Sequence, residues 1–191
     1  HEIAPVWSPD GQKIAFTRRR GRWGTSSLLS KRCTSSCAEI YVMNADGSGQ
    51  RRLARNVLWG EEGPVWSPEG RKIAFLRVRD SSSGLSDIYV MNADGSGQRR
   101  LTSGATATPV WSPDGSKIAF GGVVCYGSTT NCHLEVVIAN PDGTGWTPVT
   151  ALQNYTSYPA WSPNGQELVF YSQVSGSKAM YKTTIGSGTV S

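Results

Sequence analysis

Four cysteines, two histidines and a crowd of arginines are the side chains in this sequence whose spacing could do chemistry. Three residues lie between Cys33 and Cys37, and six between Cys125 and Cys132. Neither pair has the two-residue spacing of a zinc knuckle, and only His133 lies near a cysteine. Local disulfides formed in an oxidising compartment fit this pattern best; free thiols and a metal site are the alternatives, and four cysteines allow three pairings. A Ser-His-Asp triad would have to use His1 or His133, and no Gly-x-Ser-x-Gly elbow is present. Ser175-Gly-Ser-Lys178 matches Ser-x-x-Lys without its companion motifs and reads as chance. Copper could bind an N-terminal His1 through amine and ring with a second histidine, but nothing in the sequence brings His133 to it. Glu61 and Glu62 are expected to share one connecting loop, where adjacent carboxylates seldom flank a substrate. Asn44-Ala-Asp46-Gly-Ser48-Gly resembles the start of a calcium loop, but Gln50-Arg51-Arg52 follow where more acidic oxygens are required, so an Asx-type turn is expected. No phosphate-cradling glycine loop occurs. The expectation is a protein that is not an enzyme, with no cofactor and no metal.

The elements that position these residues come from a chain of 191 residues, 38% hydrophobic and 17% charged, with 22 Gly and 10 Pro. That length supports one ordinary domain and is too short for a large multidomain enzyme. There is no Gly-X-Y period, no sustained heptad and no apolar run long enough to span a membrane. The sequence begins at His1 and shows no leader, which fits a processed or excerpted chain. Residues 1–104 hold 16 of the 19 Lys+Arg and 10 of the 14 Asp+Glu, a net of +6, whereas residues 105–191 hold 3 and 4, a net of −1. All 13 arginines fall in the first part. Such a surface can attract acidic glycan, anionic lipid, nucleic acid or an acidic protein, or can be simply solvated.

Repeats organise the chain. Pro5-Val-Trp7-Ser8-Pro9-Asp10-Gly11 and the following Lys-Ile14-Ala-Phe16 return from Pro64 to Phe75, from Pro109 to Phe120 and, more loosely, from Pro159 to Phe170, with Trp-to-Trp spacings of 59, 45 and 50 residues. Between them, the fourteen residues from Ile40 to Leu53 are repeated letter for letter from Ile88 to Leu101, loosely from Val136 to Val149, and as a remnant at Met180-Tyr181-Lys182. Each unit predicts four short strands, a to d: Pro-Val-Trp, a Ser-Pro-Asp-Gly turn, Lys-Ile-Ala-Phe, then Ile-Tyr-Val-Met, an Asn-Ala-Asp-Gly-Ser-Gly turn and Arg-Arg-Leu. Helical periodicity is absent.

Four phased copies of Trp-Ser-Pro-(Asp/Glu/Asn)-Gly closely resemble the TolB-type, WD-repeat-like β-propeller family over nearly the whole chain. The resemblance implies an all-β fold, a β-propeller of four-stranded antiparallel blades, usually six or more, in periplasmic or secreted proteins or attached to prolyl-oligopeptidase-like peptidases. Here one domain over 1–191 is expected, with blades at about 4–58, 59–105, 106–154 and 155–191. Four blades could form a small ring, part of a larger ring, or a ring completed by oligomerisation. Trp7, Trp66, Trp111 and Trp161 recur at one position and are expected in the core between blades.

Strand order puts the short a–b and c–d turns on one face and the variable b–c and d–a connections on the other, where function usually lives. Both cysteine pairs fall in b–c loops. That face is expected to collect Arg18, Arg19, Arg20, Arg22 and Trp23, Arg55 and Trp59, Tyr126, and Tyr155 and Tyr158. Arginine forks grip carboxylate, sulfate or phosphate, and aromatic planes stack on sugars; the competing reading is that the tryptophans pack their own loops. The function expected is a non-catalytic binding or assembly module, secreted or periplasmic, whose partner is a protein or an acidic polysaccharide; nucleic acid is not expected, and a homo-oligomer is one possibility. The alternatives are the propeller of an enzyme (a peptidase gating domain, or a polysaccharide lyase using Tyr158 or Tyr126 with Arg55) and a subunit that self-assembles through blade edges.

Overall fold

Strands follow one another through the structure, a computed structural model that describes residues 2–19, 38–54, 60–78, 86–152, 155–174 and 177–186. The candidates His1, Arg20, Arg22, Trp23, Cys33, Cys37, Arg55, Trp59 and Ser175 lie outside the described residues. The chain divides into two units, residues 1–100 and 101–191.

In the first unit, β1 (Glu2–Trp7), β2 (Lys13–Arg19), β3 (Ala38–Asn44) and β4 (Arg51–Arg52) form a four-stranded sheet in chain order, the first blade. β5 (Gly60–Trp66), β6 (Lys72–Val78), β7 (Ser86–Asn92) and β8 (Arg99–Ala105), the last running past residue 100, repeat that order in the second. In the second unit, β9 (Val110–Trp111), β10 (Ile118–Cys125), β11 (Cys132–Ala139) and β12 (Thr147–Pro148) make the third blade, and β13 (Tyr155–Trp161), β14 (Glu167–Val174) and β15 (Ser177–Thr184) the described part of the fourth. The pairings within each blade are antiparallel, and the described residues include no helix.

The turn chemistry explains the repetition. At the first a–b turn, Ser8 Oγ donates to Asp10 Oδ1 at 2.6 Å, the same carboxylate accepts from Gln12 N at 3.0 Å, and Lys13 N closes on Ser8 Oγ at 2.9 Å. Gly11, at φ 68°, supplies the left-handed step that any side chain would resist. Ser112 with Asp114, and Ser162 with Asn164, rebuild the same loop. The c–d turn is an Asx turn: Asp46 Oδ1 accepts from Ser48 N at 2.9 Å and from Ser48 Oγ at 2.7 Å.

Alternation along β2 and β3 gives each blade two faces. One face of the first blade carries Ala15, Ile40 and Val42, and these pack against Ile73, Phe75 and Met91 of the second. The second unit repeats the arrangement: Ala119, Val136 and Ile138 of the third blade meet Leu168 and Phe170 of the fourth. Each following blade also reaches back with its repeated indole, Trp66 Nε1 donating to Val6 O and Trp161 Nε1 to Val110 O, both at 3.3 Å. Trp66 and Trp111 are buried as expected. Trp7 departs from the expectation and is 58% exposed, whereas its counterpart Trp66 is packed on the strand that carries Val6.

Candidate functional site

Among the described residues of the first unit, Arg18, Arg19, Arg52 and Arg77 are paired with carboxylates carried on the blade strands. On β1 and β2, Arg18 donates to Glu2 at 2.5 Å and to Gln50 Oε1 at 2.6 Å, with its guanidinium 4.4 Å above the Tyr41 ring. The same places in the second blade hold Arg77, Glu61, Gln98 and Tyr89: Arg77 donates to Glu61 at 2.6 Å and to Gln98 Oε1 at 3.3 Å, and sits 3.7 Å over Tyr89. Cation and ring faces attract, so each arginine closes a stack of aromatic, guanidinium and carboxylate. Solvent separates the two copies. Glu2 and Arg18 are partly exposed, whereas the Glu61 side chain is wholly buried and Arg77 nearly so. Burial pushes the Glu61 carboxyl up, against the pull of Arg77 beside it. In the fourth blade the same pair of places is Thr156 and Ser172, whose hydroxyls meet at 3.1 Å, a neutral version of the same link.

Glu61 and Glu62 therefore lie within β5 rather than in a connecting loop, and adjacent strand residues diverge: Glu61 serves Arg77 of its own blade while Glu62 accepts from Arg19 of the first blade at 2.8 Å. Arg52 is paired with Glu39 at 3.2 Å, and Arg100 lies 3.7 Å from Asp87. Arg19, a candidate ligand grip, is thus already held by a carboxylate.

The second unit assembles a different surface. Cys125 and Cys132 face each other across β10 and β11 and are joined by a disulfide, Cα to Cα 4.0 Å, which selects the local pairing from those open to the sequence. The bridge staples a short hairpin tip. Within it Tyr126 N donates to Asn131 O at 2.9 Å, Asn131 Oδ1 meets His133 Nε2 at 2.9 Å, and the Tyr126 and His133 rings lie 6.1 Å apart. From this tip Tyr126 leans back toward Glu135, a long 3.5 Å contact, and burial with the nearby Glu135 charge raises its hydroxyl pKa. Glu135 is wholly buried and accepts from Thr150 Oγ1 at 2.5 Å and Leu152 N at 3.3 Å. Beside them a groove of about 460 Å³ runs along β12, lined by Tyr126, Ile138, Pro148, Val149, Thr150 and Ile185.

Tyr158 is the most conspicuous of the predicted aromatics, 65% exposed on β13 with φ 57°. The register of β13 on β14 shifts between Ser157 and Ala160, and Tyr158 occupies that bulge. The equivalent residue of the second blade is Gly63, φ 61°, and of the first Ala4, φ 50°. Tyrosine resists this conformation, so Tyr158 carries local backbone strain of about 1 kcal/mol. Tyr155 opens β13 opposite Gln173. The structure brings Tyr126, the disulfide and the groove together. Sequence reasoning had missed Thr150 and Glu135, and the signal was available: Glu135 stands where Glu39 and Asp87 stand in the first two blades, while Pro148 replaces Arg52.

Among the described residues no cluster of His, Cys, Asp or Glu could hold a metal ion, and no helix is long and apolar enough to cross a membrane. Over 81 residues, 42% of this chain and 14% of the relative, the sequence is 38% identical to the Tol-Pal system protein TolB of Gluconobacter oxydans. Over 69 residues, 36% of this chain and 8% of the relative, it is 32% identical to YuxL, an uncharacterized peptidase of Bacillus subtilis. The crystal structure of TolB from Acinetobacter baumannii superposes with a TM-score of 0.68 at 21% identity, covering 100% of this chain and 42% of that one. The chain thus spans less than half the length of each of these proteins. Residues 1–122 match the family model of the TolB beta propeller domain, and with four-stranded antiparallel blades repeating through it, the chain belongs to the TolB β-propeller family.

Proposed function

We propose that this chain is a non-catalytic binding or assembly module that works outside the cytoplasm, in the periplasm or after secretion, and that its partner is a protein. The observation that carries the reading is the stapled hairpin: Cys125–Cys132 fixes a b–c loop whose Tyr126 forms one wall of a largely apolar groove. A covalent clip on so short a loop reduces the ordering cost of recognition, and apolar grooves rimmed by an aromatic hydroxyl suit a protein segment. The disulfide supports an oxidising compartment. An acidic glycan is supported less well, because Arg18, Arg19, Arg52 and Arg77 already have carboxylate partners. The relatives named as Tol-Pal system proteins favour a protein partner as well.

Photo-crosslinking from position 126 in the host's extracytoplasmic fraction tests this, with heparin and polygalacturonate as competitors. A discrete protein adduct, lost in Cys132→Ser and unmoved by either polyanion, is the expected result. An adduct abolished by the polyanions, or none at all, would overturn the protein reading. The second reading, a peptidase propeller, is favoured by the similarity to YuxL. A larger native polypeptide labelled by a fluorophosphonate would establish it.

A further inference from the structure

Of the asparagines in the sequence, Asn164 is the one followed by glycine. It stands in the a–b turn of the fourth blade, at the place held by Asp10, Glu69 and Asp114 in the other three, and all four residues are exposed. The amide fills the acid's role. Asn164 Oδ1 accepts from Ser162 Oγ at 2.7 Å and from Gln166 N at 3.0 Å, the contacts that Asp10 makes with Ser8 and Gln12. Both bonds go to Oδ1, which leaves the Nδ2 amino group without a hydrogen bond among the described residues. Gly165 N donates to Ser162 O at 2.9 Å.

We propose that Asn164 is a deamidation site gated by its own turn: three hydrogen bonds keep the side chain an amide while the turn is closed, and opening of the turn lets water convert it to an aspartyl residue. The chemistry needs only the chain and water. Gly165 N gives up its proton and bonds to Asn164 Cγ, the Cγ–Nδ2 bond breaks, and ammonia leaves a five-membered succinimide. Water attacking Cγ then breaks the new bond and yields aspartate; water attacking the backbone carbonyl carbon yields isoaspartate, with the chain rerouted through the side chain. Gly165 has no side chain to shield the attacking nitrogen. Asn44 and Asn92 are followed by alanine, whose methyl crowds that nitrogen, and Asn140 precedes Pro141, which has no N–H to lose. In the closed turn the Gly165 N–H is committed to Ser162 O and Oδ1 is fixed by two donors, so the nitrogen reaches Cγ only after these bonds open. The two products differ in consequence. Aspartate inherits the donor pair that, in the first blade, lowers the Asp10 carboxyl below 3.8, so it rebuilds the acidic form of the turn. Isoaspartate adds a methylene to the backbone between Ser162 and Gly165 and pulls the Gly165 N–H away from its carbonyl.

Peptide mass mapping of the 191-residue protein, incubated at neutral pH folded or in denaturing urea, tests this with Ser162→Ala and Ser112→Ala. In urea Asn164 should lose ammonia well before Asn44 and Asn92. In the folded wild type its conversion should be roughly a hundredfold slower than in urea, because three hydrogen bonds, each worth about fivefold in an opening equilibrium, must break first. Ser162→Ala should speed the folded protein's conversion by about fivefold or more. Ser112→Ala removes the matching hydroxyl from the third blade and should leave the Asn164 rate unchanged, which separates opening of this turn from general loss of the fold. An Asn164 that outlasts Asn44 and Asn92 in urea would overturn the proposal, as would a folded rate equal to the unfolded one. A Ser162→Ala protein no faster than wild type, or matched by Ser112→Ala, would overturn the gating by this turn.

Discussion

Arg77→Met should cost far more stability than Arg18→Met, although the two arginines make the same contacts in two consecutive blades. Each salt bridge is short, 2.6 Å to Glu61 and 2.5 Å to Glu2. The difference is water. Glu2 is 52% exposed and its loss of a cation is absorbed by solvent, so the exposed pair is worth about 0–1 kcal/mol. Glu61 is 0% exposed, and removing its cation strands a carboxylate in the interior, a loss of about 3–5 kcal/mol. Methionine keeps most of the arginine stem, which limits the packing change. The wild-type pair is itself imperfect, since Glu61 Oε2 and Arg77 Nε find no hydrogen-bond partner among the described residues, and this points to the lower end of that range. The Glu61 carboxyl is raised above 4.5, so the folded state binds its proton more readily than the unfolded chain and ionisation works against the fold as pH rises through the folded value. Without Arg77 the carboxyl rises further, and the deficit of Arg77→Met should shrink as the solution is acidified. Urea unfolding followed by tryptophan fluorescence at about pH 7 and about pH 5 reads both effects. The double variant Glu61→Gln with Arg77→Met should recover most of the loss. Equal costs for the two arginines, a deficit that ignores pH, or a double variant no better than the single would refute the reasoning.

Other outcomes follow from the repeats. Gly47 and Gly95 hold one position in two identical stretches, at φ 84° and 87°, but an added methyl meets nothing at Gly47 and would lie 2.7 Å from Leu53 O at Gly95. Gly47→Ala should therefore cost about 1 kcal/mol from conformation alone, and Gly95→Ala about 1–3 kcal/mol more; equal thermal shifts would show that this turn does not press on the preceding blade. Asp114, held by Ser112 and Ser116, should titrate at about 2 by carboxyl NMR. Its stabilisation is complete above 3.8 and is lost as pH falls toward 2, a slope that Asp114→Asn removes and that Asn164 in the fourth blade never had. Tyr158→Gly should relieve the left-handed strain and raise stability by about 0.5–1 kcal/mol; a lower melting temperature would mean that the ring is held by contacts that outweigh it.

The parts of this fold legible in the sequence are those decided within ten or so residues. Ser8, Asp10 and Gly11 announce their turn because each supplies a different local need: a hydroxyl, a carboxylate and a left-handed backbone. Ile40 to Met43 announces a strand, and Asp46 with Ser48 its Asx turn. What was not legible depended on partners far along the chain. Glu61 and Glu62 look alike as a dipeptide, yet strand alternation sends one to Arg77 and the other to Arg19, sixteen and forty-three residues away. The exposure of Trp7 is invisible for another reason: its motif is the same as that around Trp66, which is 7% exposed where Trp7 is 58% exposed, so the motif alone does not decide burial. The Tyr126 groove draws on residues as far apart as Tyr126, Pro148 and Ile185, a gathering that single-residue reading does not register.

The letter-for-letter identity of residues 40–53 and 88–101 bears on how such a molecule changes over time. A crossover between the two copies would delete 48 residues, the offset from Ile40 to Ile88, and the junction would still read as an unbroken strand, turn and strand. The product would lack one repeat and keep the a–b and c–d turn sequences of the others. The reverse event would insert a blade with equal ease. One exchange between these two stretches would therefore change the chain by a whole repeat while leaving the strand-turn-strand sequence at the junction intact.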